Sequence, residues 1–118
     1  MENLNVLMIK FLKVLSDPTR LKIIEYLQEN PTNAGKIQKE LNLSQSYTSH
    51  QLKKLKDVDI ITYKRLGKQK KFKIKNKEIY KLISLIKAYI LKVEREKFEK
   101  IRSIERSTAI PDFNDLFR

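Results

Sequence analysis

Residues able to bond to base edges and phosphates crowd one stretch, Leu43-Ser44-Gln45-Ser46-Tyr47-Thr48-Ser49-His50-Gln51-Leu52-Lys53-Lys54-Leu55. Ser44 suits a helix N-cap, because its hydroxyl can accept a bond from an unpaired first-turn amide. On a helix started there, Leu52 and Leu55 fall within about 40° of Thr48 and make a narrow inward stripe. Ser46, His50 and Lys53 point the opposite way, flanked by Tyr47, Ser49 and Lys54. That outer face carries hydroxyls, an imidazole and ammoniums, and no carboxylate. A solvated helix ordinarily mixes both signs of charge, so this face fits base edges and phosphates better than water. An amphipathic helix with a merely polar outside is the competing reading.

The charge of the whole chain bears on that choice. The 118 residues carry a formal net charge of +12. Between Ser44 and Lys81, twelve basic residues stand against three acidic ones, so nine of those twelve excess charges lie in a third of the chain. Such concentration points to a polyanionic partner. The chain has no cysteine, which excludes disulfides and thiolate metal sites, and one histidine, which cannot build an imidazole cluster. No nucleophile–base set and no glycine-rich phosphate loop occurs, so an enzyme is not expected. No apolar run reaches membrane-span length and no signal-peptide pattern opens the chain; a cytoplasmic protein without membrane contact is the expectation.

These side chains need a scaffold, and the chain supplies its elements in order. Leu4, Leu7, Met8, Phe11, Leu12 and Leu15 recur at helical spacing and predict a first helix over 4–15. Asp17 and Pro18 fit the N-cap and first position of a second helix, with Leu21, Ile23, Ile24 and Leu27 inward and Asn30-Pro31 as its stop. A short third helix opens at Thr32-Asn33-Ala34-Gly35 and contains Ile37 and Leu41; Asn42-Leu43 is the turn into the Ser44 helix. Ile60 to Arg65 is β-branched and aromatic, Leu66-Gly67-Lys68-Gln69 is a hairpin tip, and Lys70 to Lys75 alternates basic and apolar as a half-buried strand does. The fold class is therefore mainly α with a small β-hairpin, a winged helix-turn-helix in the order α-α-α-α-β-β-α.

From Asn76 the period returns to helical, with Ile79, Leu82, Ile83, Ile86, Tyr89, Ile90 and Val93 in one stripe that can continue through Phe98, Ile101 and Ile104. A helix of that length cannot bury its apolar side on so small a domain, so a homodimer is expected, with an interface of Leu4, Leu7, Met8, Phe11, Leu82, Ile86, Tyr89, Ile90 and Val93. The domain is taken as residues 1–107, followed by a tail over 108–118.

Three clusters resemble the ArsR/SmtB-type winged-helix repressors: Phe11 to Ile24 with its Asp17-Pro18-Thr19-Arg20-Leu21, Leu43 to Leu55, and Arg65-Leu66-Gly67-Lys68 to Phe72. The resemblance covers roughly residues 8–95. It departs at Gln51, where the family usually has His, and at Asn33 and Gly35, where the metal sensors of the family carry cysteines. Metal sensing is accordingly not expected, and no cofactor is.

The resemblance implies a dimeric regulator acting on double-stranded DNA, most simply as a repressor. Helix 44–56 would enter the major groove with Gln45, Ser46, Tyr47, Ser49 and His50, while Lys53, Lys54, Arg65, Lys68, Lys70 and Lys71 neutralise backbone, the last four from the 64–73 wing. A winged helix used for protein interaction or RNA binding is the alternative. The effector and the operator have no signature in the chain.

Overall fold

The computed structural model describes residues 3–107. Its elements are α1 (Leu4–Leu15), α2 (Pro18–Leu27), α3 (Ala34–Leu41), α4 (Gln45–Asp57), β1 (Ile61–Leu66), β2 (Gln69–Ile74) and α5 (Glu78–Ser107). They fall into two compact units, one through Lys77 and one that begins with α5 at Glu78.

Side-chain caps start the first four helices. Asn3, Asp17, Asn33 and Ser44 each accept a hydrogen bond from an amide of the turn that follows, at 2.7, 3.0, 2.8 and 3.2 Å. Each cap satisfies one donor that the helix itself leaves unpaired. Asn42 ends α3 in the left-handed region, at φ 54°, which Asn tolerates better than most residues. The Leu43 amide then bonds back to the Gln38 carbonyl at 2.9 Å, closing the turn of the helix-turn-helix.

The core of this unit lies among α2, α3, α4 and the hairpin. Ile23, Ile24 and Leu27 meet Ile37, Leu52, Leu55, Ile60, Ile61 and Phe72 as buried side chains. Thr48, Leu52 and Leu55 are the buried stripe expected of α4. Two details of α2 differ from expectation. The helix ends at Leu27, before Asn30-Pro31. Leu21 is exposed, because Arg20, Ile23, Ile24 and Leu27 share one face and Leu21 lies about 100° from its centre.

That face holds a charge. The Arg20 guanidinium is buried and donates through Nε to the Val14 carbonyl (2.7 Å), through Nη2 to the Lys13 carbonyl (3.3 Å) and through Nη1 to Gln51 Oε1 (2.7 Å). The two carbonyls belong to the last turn of α1, where a cation is also favoured by the helix dipole.

β1 and β2 pair antiparallel from Ile61↔Ile74 to Leu66↔Gln69, so the loop between them is Gly67-Lys68 alone. Thr32 joins as a single-residue third strand, exchanging both backbone bonds with Phe72 at 2.7 and 3.1 Å. Lys75 continues the attachment, bonding through its amide to the Ile60 carbonyl and through Nζ to Asp59.

The second unit is α5, 30 residues long. Leu82, Ile86, Tyr89 and Ile90 are exposed on it, as are Phe98, Ile101 and Ile104 farther along, while Ile79 is buried. The tail assigned to 108–118 lies outside the described residues.

Replacing Arg20 by Ala should destabilise the fold by about 2–4 kcal/mol, because Gln51 Oε1 and two helix-end carbonyls lose their donor. Arg20→Lys should recover only part of this, since one ammonium cannot reproduce the fork. Urea unfolding of the three proteins measures both effects.

Candidate nucleic-acid interface

Local sequence decides which side chains α4 presents. With Thr48, Leu52 and Leu55 turned inward, Gln45, Ser46, Tyr47, Ser49, His50 and Lys53 are left exposed, and Lys54 is half-buried on the flank. Thr48 does not face outward; its hydroxyl donates to the Ser44 carbonyl at 2.8 Å. Tyr47 is steered as well. Its phenol lies 3.4 Å from the Thr19 hydroxyl at the start of α2, which ties the outer face of α4 to the second helix.

Gln51 belongs to the interior. It is buried, and its carbonyl oxygen receives Arg20. The departure from the family's usual His therefore falls on an internal link between α1, α2 and α4, and leaves the outward set Ser46, Ser49 and His50 untouched.

The wing brings its cations to two faces. Cross-strand partners share a face, and the register pairs Lys64 with Lys71 and Arg65 with Lys70. Arg65 and Lys70 lie on the side that carries Tyr63 and the buried Phe72, whereas Lys71 lies on the other. The three lysines expected to act together, Lys68, Lys70 and Lys71, are all exposed but do not form one surface. Two consecutive pairs of like charges directly opposite each other destabilise a hairpin, a cost that an anion at the wing would offset. Gly67 opens the turn at φ 64°, the left-handed region that suits glycine.

Between α4 and the wing runs a cleft of about 530 Å³, lined by Lys53, Lys68 and Lys70 together with Ser49. Among the lining residues not foreseen in the interface are Lys56 and Tyr63. Lys56 sits one helical turn beyond Lys53, and this i, i+3 spacing is the signal by which the sequence marks it. Asn33 closes one end. Its Oδ1 caps α3 and its Nδ2 lies 3.4 Å from Gln69 Oε1 in the wing. At a position where metal sensors of the family carry a ligand, this chain thus uses a capping amide. Among the described residues no group of three or more His, Asp or Glu lies close enough to hold a metal ion, and no helix is long and apolar enough to cross a membrane.

Five helices, a tight turn before the fourth and a two-stranded wing define a winged helix-turn-helix domain, the fold of DNA-binding transcriptional regulators. The profile described as "Bacterial regulatory protein, arsR family" matches residues 17–63. The chain is 36% identical over 85 residues to the "Uncharacterized HTH-type transcriptional regulator MJ0229" of Methanocaldococcus jannaschii, covering 63% of this chain and 90% of that one. It is 40% identical over 55 residues to the transcriptional repressor SdpR of Bacillus subtilis, a match spanning 47% of this chain and 61% of that protein's length. Among solved structures, the homodimeric winged helix-turn-helix DNA-binding domain of Mb0332 from Mycobacterium bovis superposes with a TM-score of 0.67. It is 20% identical, and the match covers 74% of this chain and 81% of that one. The chain belongs to the ArsR family of transcriptional regulators.

Gly67→Ala should cost about 1 kcal/mol of stability, because a Cβ is disfavoured at this φ even though nothing crowds the site. Thermal unfolding checks this. A gain in stability would show that the turn tolerates a side chain here.

Proposed function

We propose that this regulator is a dimeric repressor that binds duplex DNA sequence-specifically, with α4 in the major groove and the wing along the backbone. The observation that carries the reading is the outer face of α4. It presents Gln45, Ser46, Tyr47, Ser49 and His50 without a carboxylate, beside a wing whose like charges face one another. Hydroxyls, an amide and an imidazole can bond several base edges, and Lys53, Lys54, Arg65, Lys68, Lys70 and Lys71 supply charge for phosphates. The repressor role is supported by the likeness to SdpR, which is named a repressor.

Dimerisation is supported by the apolar surface that each unit exposes. Leu4, Leu7 and Met8 are exposed on α1 with Phe11 half-buried beside them. Leu82, Ile86, Tyr89 and Ile90 are exposed on α5, with Val93 half-buried in the same stripe. A second copy offers the same two surfaces, and a two-fold dimer matches a palindromic operator with half-sites about one helical turn apart. The Mb0332 domain, of the same fold, is described as homodimeric.

Replacing Ile86 and Ile90 together by Asp should give a folded monomer, because each change would bury an unpaired carboxylate in an apolar seam. Sedimentation velocity at micromolar concentration reads the outcome. A wild-type monomer there would end the dimer reading.

DNA recognition is tested with a helix triple variant (Ser46, Ser49 and His50 to Ala) and a wing triple variant (Lys68, Lys70 and Lys71 to Gln). Each is titrated with salt on one selected duplex and one scrambled duplex. The helix variant should lose discrimination, at about 1–3 kcal/mol per good base contact. The wing variant should weaken on both duplexes alike and lower the salt slope by about 0.9 for each phosphate it no longer neutralises. Full discrimination by the helix variant would remove α4 from base readout. An unchanged slope in the wing variant would leave those lysines as solvated charges.

A further inference from the structure

We propose that Lys56 and Lys70 form a phosphate clamp, positioned by the ring of Tyr63, that grips one phosphodiester of the duplex between the recognition helix and the wing. The inference rests on the DNA-binding reading above and adds to it a site built around two residues, Lys56 and Tyr63, that were not expected in the interface.

The geometry starts with the ring. Tyr63 packs against the buried Phe72, centroids 5.5 Å apart at 54°. Phe72 is in turn held by both of its backbone bonds to Thr32. The ring is therefore a fixed platform in the wall of the cleft. Two ammoniums from different elements approach it: Lys56 Nζ from the last turn of α4 at 5.2 Å from the centroid, and Lys70 Nζ from β2 at 4.7 Å. Both distances are within the reach of a cation–π attraction.

This arrangement gathers positive charge at one ring. The two ammoniums can lie no farther apart than about one screening length at 0.1 M salt (about 10 Å), and so they repel. No Asp or Glu lines the cleft that holds them, and two more cations, Lys53 and Lys68, line the same walls. The ring quadrupole offsets part of the repulsion and limits the rotamers of two otherwise flexible side chains. What results is a pair of donors held ready for an oxyanion.

A phosphodiester fits better than a free anion because of where the pair sits. Lys56 continues the α4 face that carries Ser49 and Lys53, and Lys70 lies next to the wing turn. With α4 in a groove, a strand running from that groove to the wing would cross this cleft, whose walls belong to both elements. Lys56 and Lys70 would thus bind backbone, setting the register of the helix in the groove without reading sequence.

The test uses the intact protein and duplexes that carry a single neutral methylphosphonate, moved along each strand in turn. Wild type should lose affinity at several positions per half-site, one of them the phosphate held by the clamp. Lys56→Gln should reduce sensitivity at one of these positions, leave the others as in wild type, and lower the salt slope by about 0.9. Tyr63→Leu should do the same although both lysines remain, whereas Tyr63→Phe, which keeps the ring, should behave as wild type. Thermal unfolding shows whether Tyr63→Leu is folded; Lys56→Gln decides the question if it is not. The clamp is overturned if Lys56→Gln keeps both the wild-type methylphosphonate profile and the wild-type slope. It is also overturned if Tyr63→Phe fails as Tyr63→Leu does, or if millimolar inorganic phosphate, and not duplex, shifts the Lys56 side-chain NMR signal. Failure of the underlying reading looks different: wild type itself would bind no duplex at low salt, and the clamp would fall with it.

Discussion

A buried guanidinium sets the geometry of the helix-turn-helix half of this protein. Taking Arg20 out of water costs several kcal/mol before any partner is counted. The fold meets that cost with three oxygens that point in fixed directions, the Lys13 and Val14 carbonyls at the end of α1 and the amide oxygen of Gln51 in α4. The planar fork can satisfy all three only when α1, α2 and α4 hold one mutual arrangement. Asp17 caps α2 through the Arg20 amide, and Thr19 meets the Tyr47 phenol. Neighbouring residues at the start of α2 thus fix where α1 ends, how α2 begins and how α4 lies. Apolar packing of Leu52 and Leu55 stabilises α4, but it is non-directional; the hydrogen bonds of Arg20 specify its orientation.

The wing follows a different rule. Its core face is secured by Phe72, the Thr32 bridge and the Asn33–Gln69 contact, all of which lock the hairpin to the start of α3. Two of its cross-strand pairs, Lys64 with Lys71 and Arg65 with Lys70, are cations that face one another. A hairpin selected for stability alone would alternate signs. Here the stability cost falls on the surface that the proposed function would neutralise, so the anchoring contacts and the charge have separate roles within one small element.

The order of elements is legible in the sequence because each boundary has a local cause. Caps at Asp17, Asn33 and Ser44, a proline at the first position of α2 and a glycine in the hairpin turn are chemical signals that act over a few residues. The α4 stripe is legible for the same reason, and exposure of its outer face follows directly from which residues are buried. Arg20 and Gln51 are not legible, because hydropathy counts both as surface residues. Their helical positions place them among buried neighbours, but only the three-dimensional meeting of α1 with α4 supplies their partners. Leu21 shows the converse error, its apolar character outweighing its angle. The Lys56–Tyr63–Lys70 group joins residues from a helix and two strands, and the Thr32 bridge joins a loop to β2; neither leaves a periodic trace.

Gln51 shows how a departure from a family pattern changes meaning once its neighbours are known. In the sequence it is a departure within the candidate recognition helix, next to His50. In the structure it faces inward and accepts from a guanidinium. An imidazole at this position could accept that bond only in its neutral form, and a second cation beside Arg20 in a buried site would be strongly disfavoured. A primary amide accepts at any pH and carries no charge. The link between Arg20 and α4 is therefore insensitive to pH across the range where histidine titrates. The chain's single imidazole instead lies on the exposed face of α4. Gln51 thus supports α4 through a neutral amide, and the imidazole of His50 is left to the outer face.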